Sequence, residues 1–166
     1  MYVSYKYQKS CSYLNLFKMA KKLIHNIHVS LFVKEEEPVE QYKKKYLEFF
    51  PFEIEKLLKE KKVESENEST IYQFTTILDK QKKIRDFLSK LLEKLSEEQK
   101  NLIVAQADTR LNDEMQFFLR FDKVKFLSDE LWLVDSGECV HIRMTLACYP
   151  HSRETALKIV EELFGN

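Results

Sequence analysis

The sequence predicts an α+β fold, a two-layer sandwich in which a largely antiparallel sheet carries helices on one face. Three observations predict it. Apolar residues alternate with a period of two over residues 27–33, 115–121 and 140–146, the pattern of strands with one buried side. Over residues 39–50, 84–95 and 156–163 they recur at helical spacing instead. Between strand-like runs lie Glu66-Asn67-Glu68-Ser69 and Asp135-Ser136-Gly137-Glu138, short polar turns that return the chain antiparallel to itself.

Taken in order, residues 1–22 are set apart as an N-terminal extension to a single domain over 23–166. Residues 1–18 are rich in Tyr, Ser and Lys without a period, and Met19-Ala20-Lys21-Lys22 reads as a natural start. The extension is therefore expected to be a flexible arm or a start assigned too early. Residues 23–33 read as a strand, with Ile27, Val29, Leu31 and Val33 on one side and His28, Ser30 and Phe32 on the other. Glu35-Glu36-Glu37-Pro38 then opens a helix, because acids suit the N-terminal dipole and proline is tolerated in a first turn. Val39, Tyr42, Tyr46, Phe49 and Phe50 mark its buried stripe and Pro51 stops it.

Residues 56–65 and 70–78 read as a hairpin, the second arm being β-branched and aromatic; Leu57 and Leu58 leave a helical reading open for the first. Ile84, Phe87, Leu88, Leu91, Leu92 and Leu95 define a strong amphipathic helix from Lys80. Ser96 with Gln99 three places on has the form of a capping box for a further helix to about Ala107. The next strand carries Met115, Phe117, Leu119 and Phe121 on one face and Phe118 and Arg120 on the other. Residues 131–134 and 139–147 flank the Gly137 turn and form the clearest hairpin, with Val140, Ile142, Met144 and Leu146 opposite His141, Arg143 and Thr145. Tyr149-Pro150 closes that strand, and Ser152 caps a last helix carrying Ala156, Ile159, Val160 and Leu163.

Composition narrows function by exclusion. Only two glycines occur in the 166 residues, too few for a phosphate loop or a dinucleotide fingerprint. The formal net charge is zero, so any attraction to nucleic acid must be local. Three cysteines at positions 11, 139 and 148 form neither an even set nor a metal-type spacing, which places the chain in a reducing cytoplasm. No apolar run approaches the roughly 20 residues of a membrane helix, and no membrane partner is expected.

Certain blocks, in order, resemble a small archaeal family. They are residues 27–33, Asp108-Thr109-Arg110, Phe118-Leu119-Arg120-Phe121-Asp122-Lys123, Val140-His141-Ile142-Arg143 and Tyr149-Pro150-His151-Ser152-Arg153-Glu154. The resemblance spans roughly residues 23–164. It is to a family of RNA-binding or exosome-associated subunits, with a fold similar to that of the 5S-RNA-binding ribosomal protein. The chain departs from it at Glu66-Asn67-Glu68-Ser69, which lacks the family's glycine, and at residues 124–128. The resemblance implies RNA as a partner and a place in an RNA-processing complex.

If the strands assemble as one sheet, His28, Phe32, Phe118, Arg120, Trp132, His141 and Arg143 share the face away from the helices. Aromatic rings there would stack bases and guanidinium groups would meet phosphates. Packing of the same face against a second copy or another protein is the alternative, and makes the aromatics an ordinary interface. Arg110, Arg120, Lys123, Arg143 and Arg153 match the family blocks and are candidates for phosphate contact, with pairing to Asp108, Asp122 and Glu154 as their structural counterpart. Lys59, Lys61, Lys62, Lys80, Lys82, Lys83 and Arg85 form a second candidate basic patch, although Glu60, Glu64 and Glu66 lie among them and favour a solvated, ion-paired surface.

Catalytic constellations are weak throughout. Asp108, Asp113 and Glu114 fit no defined metal spacing, and His25, His28 and His151 lack that of a zinc site. Cys139 and His141 point to one side of a strand without a third group to orient the histidine. A non-enzymatic RNA-binding protein that needs neither cofactor nor metal is expected, with a structural or adaptor protein that forms a homodimer as the alternative.

Overall fold

The computed structural model describes residues 22–64 and 69–165. The expected extension, apart from Lys22, and most of the first hairpin turn fall outside the described residues. The rest forms a five-stranded antiparallel sheet in the order β2-β3-β1-β5-β4. Its strands are β1 (Ile24–Lys34), β2 (Lys59–Glu64), β3 (Thr70–Leu78), β4 (Gln116–Asp122) and β5 (Cys139–Leu146). The helices are α1 (Val39–Glu48), α2 (Gln81–Lys94), α3 (Glu97–Ala105), α4 (Lys123–Leu127) and α5 (Arg153–Phe164). Apolar faces of helices and strands share one core, and the opposite face of the sheet is left uncovered by the described helices. The α+β sandwich is therefore formed as the alternation predicts.

Period-two burial is strict in the central strands. Ile27, Val29, Leu31 and Val33 of β1 are inaccessible to solvent, as are Phe117, Leu119 and Phe121 of β4. Under the sheet, α1 inserts Tyr46, whose hydroxyl donates to the Val29 carbonyl at 2.9 Å and also reaches Thr76 Oγ1 at 2.9 Å. Burial holds that phenol well above its usual pKa, so it keeps its proton and remains a donor. Phe49 meets Phe87 of α2 and Phe126 of α4 edge-on, with centroids 5.3 and 5.2 Å away, a favoured aromatic geometry. Lys90 closes the end of α1 by donating to the Glu48 and Phe50 carbonyls, which helix geometry leaves unpaired.

Leu57 and Leu58, the source of the helical alternative, lie in a turn whose amides donate to the Ile54 carbonyl at 2.8 and 2.7 Å. The strand begins only at Lys59 and pairs with β3 as the hairpin predicts. Ser96 caps α3 by accepting from the Gln99 amide at 3.2 Å. The reciprocal half of the capping box does not form, because the Gln99 side chain is buried and accepts from the Leu133 amide at 2.7 Å.

That hydrogen bond belongs to the main correction. Residues 131–134 do not pair with β5, so the clearest expected hairpin is not made. They run along the outer edge of β4, where Phe121 bridges Leu133, the Asp122 amide donates to the Trp132 carbonyl at 2.8 Å and the Val134 amide to the Arg120 carbonyl at 2.9 Å. The Leu133 amide points away from β4, and Gln99 satisfies it. This blunts an edge that would otherwise present an unpaired donor. The short helix α4 precedes the segment; Asp122 caps it through the Lys125 amide at 2.8 Å, and it buries Phe126. Gly137, at φ +92°, then carries the chain across the end of the sheet into β5.

Candidate functional site

Register decides which side chains meet on the uncovered face. Lys59 lies opposite Thr75, Thr75 opposite Ser30, Ser30 opposite His141 and His141 opposite Arg120. These five residues make one row across all five strands. The next row runs Ile77, His28, Arg143, Phe118. Phe32 and Gln73 lie opposite one another beside these rows, with Lys61 next to Gln73. Trp132 reaches the same side from the segment along β4, since its neighbours Leu131 and Leu133 are buried toward the helices.

The pleat sorts charge as well as polarity. In β2 the sequence Lys59-Glu60-Lys61-Lys62-Val63-Glu64 places Lys59, Lys61 and Val63 on the uncovered face. Glu60, Lys62 and Glu64 turn to the other side, where Glu60 pairs with Lys43 of α1 at 2.7 Å and Lys62 lies 4.9 Å from the Tyr72 ring centre. The acids that interrupt the lysine run therefore do not share a face with Lys59 and Lys61. Asp122 and Glu138 lie at one end of this side; Lys59 and Lys61 stand on the edge strand β2, and Arg120 and Arg143 stand on β4 and β5 across the sheet, with Gln73, Thr75 and Ser30 on the strands between. Four of the large apolar residues that remain exposed, Phe32, Val63, Ile77 and Trp132, also lie on this side.

Contacts within the face hold it in a cationic state with neutral histidines. Arg143 Nη2 lies 2.9 Å from His28 Nδ1. Burial, then the charges of Arg143 and Lys59, lower the His28 pKa, so the imidazole is neutral and accepts from the guanidinium. Arg120 stands 5.9 Å from the centre of the Phe118 ring. His141 Nε2 is 3.2 Å from Cys139 Sγ. Burial pushes the Cys139 thiol up, and burial with the charge of Arg120 pushes His141 down. Both shifts favour a neutral pair over the thiolate–imidazolium pair that nucleophilic catalysis requires.

The remaining block residues lie elsewhere. Arg110 is 5% exposed and is held by Gln106 Oε1 at 2.6 Å and Asp135 at 2.5 Å, with the Val134 carbonyl at 3.4 Å. Lys123 is 2% exposed; its ammonium meets Glu37 at 2.7 Å, Glu138 at 3.0 Å and the Phe32 carbonyl at 3.3 Å. Arg153 sits at the start of α5, paired with Asp108 at 2.7 Å and bonded to the Leu111 carbonyl at 3.2 Å. Arg120, Arg143, His141, Phe118 and Trp132 thus come together on the uncovered face, while Arg110, Lys123 and Arg153 serve as structural ties. Asp108 and Asp113 both lie within reach of Arg153, and among the described residues no cluster of His, Cys, Asp or Glu is arranged to hold a metal. Among the described helices none is long and apolar enough to cross a membrane.

Residues 26–146 match the family described as RNA binding. The chain belongs to that family. The RNA-binding protein PAB1135 of Pyrococcus abyssi is 28% identical over 148 residues, covering 87% of this chain and 96% of that protein. Among solved structures, AF2318 from Archaeglobus fulgidus, of the DUF54 group, superposes with a TM-score of 0.75 at 27% identity over 84% of this chain and 99% of its own. Mth689 from Methanothermobacter thermautotrophicus, also of the DUF54 group, shares the fold with a TM-score of 0.70 at 23% identity over 86% of this chain and 98% of its own. The RNA-binding family match covers β1, β2, β3, β4 and β5 apart from the first two residues of β1, so it includes nearly the whole uncovered face.

Proposed function

We propose that the protein binds single-stranded RNA on the uncovered face of its sheet and does so without catalysing a reaction. The observation that carries this is the separation of charge. In a chain of zero net charge, one sheet face carries Arg120 and Arg143 beside Phe118, Phe32 on the central β1, and Lys59 and Lys61 on the far edge strand with their neighbouring glutamates turned to the other side. Guanidinium and ammonium groups neutralise phosphates, and rings offer planes to unstacked bases at about 1–3 kcal/mol per base. A sheet presenting aromatics suits single strands, because the deep, narrow major groove of duplex RNA keeps base edges from side chains. The family description and the name of the Pyrococcus abyssi relative support RNA as the partner.

A role beside an RNA-processing complex such as the exosome is the finer part of this reading, and it rests on the resemblance of the Leu119–Lys123 and Tyr149–Glu154 blocks. The exposure of Phe32, Val63, Ile77 and Trp132 favours a second use of the same face, in pairing two copies of the chain. Light scattering separates the two: a two-chain mass that Trp132→Arg abolishes supports the dimer. The test of RNA binding is fluorescence anisotropy of the full chain with labelled single-stranded and duplex RNA at several salt concentrations. Binding to the single strand that weakens with salt and falls in Arg120→Ala and Arg143→Ala is expected. Equal binding by both variants would move the site off the sheet.

A further inference from the structure

We infer that the pocket at the Glu138 end of the uncovered face receives one nucleobase; the RNA reading above supplies the strand from which it comes. The pocket, of about 180 Å³, opens where β1 and β3 meet the start of β5. It is far larger than the ~10–15 Å³ that holds a single water and smaller than the ~300 Å³ at which sites for drug-sized ligands begin. A single ring system suits that size.

Its lining mixes apolar and polar groups. Phe32 and Ile71 give an aromatic ring and an aliphatic side chain, and Lys34, which pairs with Ile71 in register, provides polar groups together with Glu138 and His141. Lys34 and Glu138 are joined at 2.5 Å, and Glu138 is also held by the buried Lys123 at 3.0 Å, so a donor and an acceptor stand side by side at the pocket. Each carboxylate oxygen has lone pairs beyond those two contacts, leaving acceptor capacity for a base N–H. His141 has one ring nitrogen taken up by Cys139 and keeps the other for a ligand.

The presence of Glu138 is what distinguishes a base from a phosphate here. A phosphate entering the pocket would find the ammonium groups of Lys34 and Lys123 already engaged by Glu138, whereas a neutral heterocycle finds both a donor and an acceptor. Phosphates have better partners further along the face at Arg120, Arg143, Lys59 and Lys61, none of which lines the pocket. The face therefore divides into a region for the backbone and a slot for a base, which would give the protein a base preference that the cationic region alone lacks.

The test is an NMR titration of the full chain with each of the four ribonucleoside 5′-monophosphates, with ribose 5-phosphate as the control. Saturable shifts of the His141 ring and the Ile71 methyls are expected with at least one nucleotide and not with ribose 5-phosphate. Ile71→Trp, which fills the slot, should remove them, and Phe32→Ala should weaken them. Silence with all four nucleotides, an equal response to ribose 5-phosphate, or a response untouched by Ile71→Trp would overturn the inference. Failure here with salt-dependent strand binding intact would remove the slot alone; loss of strand binding with the nucleotide response intact would remove the RNA reading alone.

Discussion

Arg110 and Lys123 on one hand, Arg120 and Arg143 on the other, all come from the short family blocks, Arg120 and Lys123 from the same one, and have opposite fates. The first pair is buried and committed to named carboxylates. The second lies on the uncovered face, with a neutral imidazole and an aromatic ring as neighbours. A carboxylate partner neutralises a cation in place; an imidazole or a ring leaves its charge available to a phosphate. A cation within a family block is thus equally suited to holding the fold and to meeting the ligand, and its partner decides which.

The greatest consequence of breaking this contrast is expected in stability at Lys123. Lys123→Ala leaves Glu37 without its cation and Glu138 with Lys34 alone. Breaking a buried pair costs about 3–5 kcal/mol, and the loss should lie at the low end because Glu138 is half exposed and can regain water. Urea unfolding measures it. Arg110→Ala should cost less, about 1–3 kcal/mol for the stranded Gln106 and Val134 groups, since Asp135 is 80% exposed and rehydrates freely. Anisotropy on the folded Arg110→Ala variant should show unchanged strand affinity.

Arg120→Ala probes the contrast from the other side. Its stability should barely move, while strand affinity falls about tenfold, or ~1.4 kcal/mol, and the salt dependence flattens by about 0.7 in slope because one phosphate is no longer neutralised. The smallest effect is a pH dependence. The His28 pKa is lowered from 6.5 in the folded chain, so below that value the unfolded chain takes up the proton first. The stabilising contribution is complete above pH 6.5 and is lost as pH falls through the depressed folded value. Denaturant midpoints across this range should decline with acidity, and His28→Gln should lessen the decline.

Much of the fold was legible because its strongest signals are periodic. The alternation in β1 and β4, the stripe Ile84–Phe87–Leu88–Leu91 and the Ser152 cap each report a local choice that tertiary packing then confirms. Residues 131–134 were not legible, because their own pattern fits either neighbour: they pair with β4 through backbone bonds at Arg120 and Asp122, and the outward Leu133 amide is satisfied by Gln99, 34 positions away. With five residues, α4 is too short to show a period. For the candidate site, the aromatic and arginine positions could be read from alternation. The burial of Arg110 and Lys123 could not, since charged residues are seldom buried and their partners are distant in sequence. The sorting of Lys59 and Lys61 from Glu60 and Glu64 was present in the sequence; it becomes visible once the run is read as a strand instead of as a patch of mixed charge.

RNA binding on the sheet is tested most directly by an amide chemical-shift map of the full chain during titration with a single-stranded oligoribonucleotide. Shifts concentrated on β1, β4 and β5 around His28, Phe118, Arg120, His141 and Arg143 are expected, with α2 and α5 unmoved. Shifts clustered instead at the start of α2, around Lys80, Lys82, Lys83 and Arg85, or at Arg153 on α5, would contradict a binding surface on the sheet.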